Sequence, residues 1–417
     1  MKIITYRITL LEPALLTALE GDPNESVSFE YIPGSVLRGA VIGKYMRSRK
    51  LKNLDAADKS VRSLFFDGTT RYLNAYPLDY QEMRTLPVPL SWYQEKEAVS
   101  IQADDYPAPI YDFAIYEHTE DVEQPQSVKK PFFTWGEDSI RLVSPKHQLS
   151  IHTARNRRYG RAVRPSFNAD ESEEPSGAVY RYEALAAGQS FEALILCDNE
   201  KDAELLLPLL EGEIFLGGSR TAGYGRAKIH SVKYAPEGWR EAAREPVADV
   251  ESRLIITFLS DVLLRDEYGQ FTAAPDVVTA AFEKELWMKL ELERAFIRTR
   301  AVGGFNRKWG LPLPQSLAIR MGSVFVYQLT DDPSNVTGLL ELEVQGIGER
   351  RAEGFGRLAF NCHGEENLPV EPMISTKKPV QIINDQESKA IAERMVSRMS
   401  QHRLEGRLIA KAVKVAD

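Results

Sequence analysis

Two glycine-rich stretches concentrate the residues best suited to chemistry. The first holds Gly217, Gly218, Ser219, Arg220, Gly223, Tyr224, Gly225 and Arg226; the second holds Gly348, Arg350, Arg351, Gly354, Phe355, Gly356 and Arg357. Glycine tolerates positive φ and lets backbone N–H groups approach an anion closely. Arginine adds a planar fork of donors that fits phosphate, and Tyr224 and Phe355 offer ring faces on which a base can stack. A tight turn before a core strand, with the aromatic packed inward, would explain one such loop. Two loops with the same Arg placement favour the phosphate reading. Neither is a P-loop, because no Gly-Lys-Ser/Thr follows, and neither is a dinucleotide fingerprint, because a strand rather than a helix comes next.

Charge is patterned in the same sense. From residue 141 to 167 there are seven basic residues and no acid: Arg141, Lys146, Arg155, Arg157, Arg158, Arg161 and Arg164. From 294 to 310 there are five, again without an acid: Arg294, Arg298, Arg300, Arg307 and Lys308. Tyr159, Phe167, Phe296, Phe305 and Trp309 are interleaved with them. Basic stripes with stacking platforms suit single-stranded nucleic acid, whereas an ordinary solvated face carries both signs.

Catalytic candidates are sparse. His152 lies in the first basic stripe, where a histidine can serve acid–base RNA cleavage or, more simply, stack and bind. Asp22 sits in a Gly-Asp-Pro turn and could orient a 2′-OH or hold a metal, though a turn-forming Asp needs no such role. The six histidines form no i, i+4 metal pair, and no cofactor or metal site is expected. Cys197 and Cys362 are the only cysteines, too few for a disulfide framework or a zinc ribbon.

These residues need elements to hold them. Ile4, Tyr6, Ile8 and Leu10 alternate with polar partners, which predicts a strand. Pro33, Gly34 and Ser35 then open a helix over about 36–49, with Ser35 as the expected N-cap and Leu37, Val41 and Tyr45 on one face. Arg38 and Lys44 project from the same helix. Gly39 within it costs about 1 kcal/mol relative to Ala, which suggests close approach of a backbone or ligand. Residues 64–140 are dense in Pro and aromatics and are expected to form an irregular insertion packed by its own rings. Residues 240–249 are charged and read as a linker. Beyond them the plan repeats, strand, then Gly-rich loop, then strand, as two copies of one α+β unit would. Ile391, Met395, Met399, Leu404, Leu408 and Ala412 recur at helical spacing, predicting a helical tail over 380–417 that docks on its own domain or on a partner.

The chain has 417 residues, 43% hydrophobic and 27% charged, and a net charge of −8. Such a length suits two or three domains and excludes a disordered tail. Acidity by itself argues against nucleic acid, but a mean can hide stripes such as those above. No basic n-region with an apolar h-region opens the chain and no run approaches a membrane span, so the expectation is a cytoplasmic protein without a membrane partner.

Several segments together resemble the RAMP superfamily of CRISPR-associated proteins, and most closely the large two-domain RAMP protein of type III-D systems. They are 32–39 from Ile32 to Gly39, 65–77 from Phe65 to Pro77, 86–92 from Leu86 to Trp92, 152–157 from His152 to Arg157, 177–185 from Gly177 to Leu185, and the two Gly-rich loops. The resemblance spans about residues 1–375. It implies two ferredoxin-like, RRM-type domains, 1–240 with its insertion and 250–375, before the tail. It also implies a structural subunit that binds crRNA at the 5′ handle, beside a large polymerase-like subunit and RAMP backbone subunits, and that meets target RNA indirectly. RNA contacts are then expected at Arg38, Lys44, His152, Arg155, Arg157, Arg158, Tyr159, Gly218, Arg220, Gly223, Tyr224, Gly225, Arg226, Arg298, Arg300, Phe305, Arg307, Lys308, Trp309, Arg350, Arg351, Phe355 and Arg357. Family crRNA-processing enzymes use a histidine near the first helix, and this chain has none before His118. The expectation is therefore a non-enzymatic subunit. Two other readings stand beside it: a metal-dependent endoribonuclease acting through Asp22, and a scaffold whose tail docks a small helical partner.

Overall fold

The computed structural model describes residues 1–19, 25–96, 107–117, 119–153, 179–236, 238–242, 253–306, 310–329, 336–362, 364–372, 389, 391, 393–398, 401 and 404. The chain divides into two compact units, Met1–Met373 and Ile374–Asp417. In the second unit the described residues are helical, and Ile391, Met395, Val396 and Leu404 are exposed. Among the described residues no helix is long and apolar enough to cross a membrane.

The first unit is α+β and its main sheets are antiparallel. Its first sheet uses β1 (Lys2–Leu10), β3 (Thr70–Tyr72), β4 (Tyr76–Pro77), β7 (Ser190–Cys197), β8 (Gly212–Phe215) and β9 (Arg226–Tyr234). The strand order is β8-β9-β1-β7-β3, with β4 also on β7. A small sheet joins β2 (Glu25–Val27), β5 (His147–Thr153) and β6 (Val179–Leu185), in the order β5-β6-β2. The alternation of β1 works as the pattern requires: Ile4, Tyr6, Ile8 and Leu10 are buried under helix α1 (Gly34–Ser48) and α2 (Glu200–Leu206). Leu37, Val41 and Tyr45 supply the helix side of that core, as their spacing predicts.

A second sheet follows the same plan. It contains β10 (Arg253–Phe258), β11 (Leu290–Phe296), β12 (Val324–Leu329) and β13 (Leu358–Phe360), in the order β11-β12-β10-β13. Helices α3 (Pro275–Leu286) and α4 (Val336–Gln345) cover it. Phe258, Phe325, Tyr327 and Phe360 pack with Val278, Phe282 and Leu286 of α3. In both sheets the last strand in sequence lies on one side of the first strand and pairs with it, so that β9-β1-β7-β3 matches β13-β10-β12-β11, with β8 added outside β9 in the first sheet.

Several local expectations are corrected. Helix α1 begins at Gly34, two residues earlier than an N-cap at Ser35 allows. Its N-cap is Pro33, with no side-chain cap bond. The orphan N–H of Gly34 is instead accepted by Asn74 Oδ1 at 2.9 Å. Gly39 is exposed, and a Cβ built there meets nothing within 4 Å, so no close approach explains it. The insertion does not pack only on itself. Residues 70–72 and 76–77 are strands of the first sheet, and the core of Leu86, Val88, Trp92, Ile110 and Phe133 closes on Leu259, Ala359, Cys362 and Leu368 from the second half of the chain. Trp92 and Phe133 rings lie 4.5 Å apart in this core.

Residues 240–242, read as linker, are packed as well. Glu241 is buried and takes Arg84 Nη2 at 3.0 Å and Arg357 Nε at 2.8 Å. Arg240 forks onto Glu343 of α4, with Nε to Oε2 at 3.0 Å. Burial pushes the Glu241 carboxyl up, but Arg357 and Arg84 together hold it below its ordinary value of 4.5. A depressed carboxylate contributes stability above its unfolded pKa and loses it as pH falls through the folded one. Glu241→Gln, which leaves two buried guanidiniums without their charge, should cost about 3–5 kcal/mol in denaturant unfolding at neutral pH. The variant should also lose less stability than wild type on acidification below pH 4.5. Equal neutral-pH midpoints for the two proteins would show that the pair is not a structural tie.

Candidate nucleic-acid interface

The two Gly-rich loops adopt one conformation. In the first, Ser219 is left-handed (φ 53°), Arg220–Ala222 make a 3-10 turn, and Gly223 is left-handed again (φ 83°). In the second, Arg350 (φ 56°), Arg351–Glu353 and Gly354 (φ 86°) repeat this position for position. Gly225 and Gly356 follow at φ 87° and 76°. A Cβ on Gly225 would lie 2.1 Å from the Leu216 carbonyl oxygen, and one on Gly356 1.9 Å from that of Ile347. Both the φ sign and the space thus require glycine.

The surroundings of the loops differ. The second loop is packed inside the unit. A Cβ on Gly34 of α1 would lie 1.9 Å from the Tyr72 carbonyl and 2.5 Å from that of Glu353, and one on Gly354 would lie 2.6 Å from the Tyr72 carbonyl. Arg38 Nη2 donates to Glu353 Oε1 at 2.6 Å, and Arg350 Nε donates to Glu353 Oε2 at 2.9 Å. Arg350 also lies over the Phe355 ring, 4.6 Å from its centre. Arg351 is exposed.

The first loop instead faces solvent: residues 220–223 are exposed. The Arg220 guanidinium carbon lies 3.5 Å from the centre of the Phe215 ring, and Arg220 is exposed. Arg226 is 44% exposed, with Nε 3.4 Å from Glu12 Oε1.

Beside this loop stands a group of rings carried by β5 and β6. His152 pairs across the strands with Tyr180, ring centres 5.4 Å apart and planes 17° apart. The His152 ring also lies 4.7 Å from Tyr182 and 5.9 Å from Tyr224. Two hydrogen bonds fasten the strands to the loop. His152 Nε2 meets Tyr224 Oη at 2.9 Å, and Ser219 Oγ donates to Tyr182 Oη at 3.2 Å. Partial burial and the neighbouring Tyr182 push the Tyr180 phenol above its ordinary value. The result is one half-buried cluster of three tyrosines and a histidine, with an exposed arginine at its margin.

Of the residues singled out in sequence, His152, Gly218, Arg220, Gly223, Tyr224, Gly225 and Arg226 come together here. Tyr224 is corrected from a free stacking face to a buried one, because its ring packs inward on Leu15, Ala184 and Tyr182. Arg357 is corrected more fully: it is 4% exposed and bound to Glu241 and the Val344 carbonyl. Arg300 is likewise drawn into the protein, 3.4 Å from Asp261 Oδ2. Arg38 and Arg350 are shared with Glu353, and Phe355 lies under Arg350. Arg141, the first cation of the acid-free window, is buried on Asp79 at 2.7 Å and Glu371 at 3.3 Å. Arg298 is exposed and donates to Ser127 Oγ at 3.1 Å. Lys44 Nζ donates to the Glu211 carbonyl; burial first, then Arg47, lowers its pKa. Asp22, Arg155, Arg157, Arg158, Tyr159, Arg307, Lys308, Trp309 and the Phe305 side chain lie outside the described residues. Among the described residues no group of three or more His, Cys, Asp or Glu side chains is placed to hold a metal.

Tyr180, Tyr182, Phe215 and Ser219 were not chosen from sequence as contacts. The signal was available in the first pair, since tyrosines at alternate positions of a strand must share a face.

The RAMP superfamily profile matches residues 8–228, just over half of the chain, from β1 into β9. The chain belongs to the RAMP superfamily. No curated protein matches it. Among solved structures it is similar to a chain of the type III-B Cmr-beta complex bound to cognate target RNA, at 12% identity and a TM-score of 0.41, covering 77% of this chain and 86% of that one. It is also similar to a CRISPR-associated Cas6 protein at 10% identity and a TM-score of 0.31, covering 86% and 98%.

The loop geometry makes a sharp prediction. Gly225→Ala should destabilise by about 1–3 kcal/mol, through positive φ and the clash with Leu216. Gly218→Ala should be close to neutral in the same thermal melts, since its built Cβ comes no nearer than 4.0 Å to Leu15 Cδ2. Comparable losses for both would contradict the backbone described.

Proposed function

We propose that this RAMP protein is an RNA-binding, non-catalytic subunit of a type III-D CRISPR effector ribonucleoprotein in the cytoplasm, gripping the 5′ handle of the guide RNA. Four strands of the first sheet and all four of the second, each in the order fourth-first-third-second, support two ferredoxin-like, RRM-type units over about 1–240 and 250–375. The observation that carries the RNA reading is the exposed first Gly-rich loop, with Arg220 over the Phe215 ring beside the rings of Tyr180, Tyr182 and His152. An exposed guanidinium takes a phosphodiester oxygen pair, and adjacent tyrosine faces take unpaired bases. Arg155, Arg157 and Arg158 come shortly after β5 in the sequence and lie outside the described residues.

A non-catalytic role fits His152. Its Nε2 is engaged by Tyr224 and its ring is stacked on Tyr180, an arrangement that positions the imidazole rather than freeing it for proton transfer. Partners in this reading are the large polymerase-like subunit, RAMP backbone subunits and a small helical protein for the tail, whose Ile391, Met395, Val396 and Leu404 are exposed.

Filter binding to single-stranded handle RNA, by the full chain alone and with its partners, tests the assignment. Arg220→Ala should weaken binding and make the log–log salt slope shallower by about 0.7, one phosphate contact on a single strand. Tyr182→Ala should cost about 1–3 kcal/mol of affinity, as loss of a stacked base does. Arg357→Ala should lower the melting temperature and leave the salt slope of the folded protein unchanged. If wild type ignores handle RNA in both settings, or Arg220→Ala retains wild-type affinity and slope, the reading fails.

A further inference from the structure

A cavity of about 220 Å³ opens where the first sheet meets α4. Ile3 of β1 and Leu196 of β7, cross-strand partners, line it from the sheet. They sit on the face turned away from α1, since Ile4 and Ile195 next to them belong to the helix-covered core. Leu340 and Val344, four residues apart on α4, line it from the helix, and Trp239 adds a further apolar wall. Met1 and Leu340 are exposed, so the cavity has a mouth to solvent. An apolar cavity of about 150 Å³ holds a benzene ring, so this one has room for a flat molecule of one or two rings.

Beside this apolar lining, hydrogen-bond donors are left over. Arg240 lines the cavity and gives Nε and Nη2 to the Glu343 carboxylate. Its Nη1, on the other edge of the guanidinium, is buried without a hydrogen-bond partner. Glu343 Oε1 also accepts the Phe360 N–H at 2.8 Å. Glu241, the second acid of the lining, is shared by Arg84 and Arg357, and Arg84 Nε is likewise buried without a partner. Three largely buried guanidiniums thus share two carboxylates, and the group is one negative charge short. A buried N–H without an acceptor and a buried cation without its counter-charge are both costly.

We propose that this cavity binds a small organic acid, its carboxylate on Arg240 Nη1 and its flat apolar body against Trp239, Leu196 and Leu340. Such an acid supplies the missing acceptor and the missing charge together, and burial of its rings supplies the rest of the affinity. Inorganic phosphate is a poor fit, because apolar walls leave its remaining oxygens unsatisfied. The site is independent of the RNA reading above.

Ligand-observed NMR titration of the full-length chain with 2-naphthoate, 2-naphthamide and naphthalene tests the site. The acid should bind about tenfold more tightly than the amide, which has its shape without its charge. It should bind roughly 10–100-fold more tightly than naphthalene, which has no acceptor. Inorganic phosphate should not compete. Leu340→Trp, a substitution at the exposed rim, should fill the cavity and weaken 2-naphthoate by about tenfold or more, with an unchanged melting temperature. Arg240→Lys, which keeps a cation for Glu343 but removes Nη1, should bring the acid down to the affinity of the amide. If that variant does not fold, the ligand series and Leu340→Trp still decide. Three results would each overturn the proposal: no binding of 2-naphthoate to wild type, an acid no tighter than the amide or the hydrocarbon, or undiminished binding to Leu340→Trp.

Discussion

Glu241 is the tie on which the arrangement of the first unit depends. It stands in a stretch that joins the two sheets, and it accepts from Arg84 of the insertion and Arg357 at the entry to β13. A buried carboxylate facing two buried cations is stable only as a set. Each member is expensive to bury alone, and removing one strands the others. The set therefore does more to specify which segments meet than to add net stability. It brings the insertion, the first residues after the first sheet and the last strand of the second sheet to one point. Arg240 on Glu343 adds a neighbouring tie to α4.

The same logic explains how far the sequence could be read. The strands and helices carry their own local signals: alternation in β1, i, i+4 spacing in α1, and the Gly-aromatic-Gly-Arg repeat before β9 and β13. These were legible, and so was the duplicated strand–loop–strand plan. What local reading could not supply was which arginine meets which acid. The window from 141 to 167 has no acid in sequence, yet Arg141 lies on Asp79 and Glu371. Arg300 meets Asp261 in the same way. An acid-free segment is a statement about neighbours along the chain, while charge balance is set by neighbours in space. Helix α1 shows a similar limit, since its first N–H is satisfied by Asn74, a residue well beyond any capping pattern.

The repeated loops show how one backbone serves two ends. Conformation is dictated by glycines that no other residue can replace, so it persists in both copies. Function is carried by the side chains around them, and these have diverged: Ser219, Ala222 and Tyr224 in one, Arg350, Glu353 and Phe355 in the other. The first copy faces solvent beside a cluster of tyrosines, while the second is pressed against α1. A shared backbone thus identifies the common unit, and the substituted positions identify what each copy touches.

The core around Trp92 has a consequence for how the chain is made. Its walls come from residues 86–140 and from 259, 359, 362 and 368. A ribosome adding about 5–20 residues per second delivers the second set many seconds after the first. Throughout that interval Trp92, Phe133 and Trp135 are synthesised but lack the walls that 259, 359, 362 and 368 supply. The nascent first half is therefore an object with an open apolar side, completed only when the final strand of the second sheet emerges.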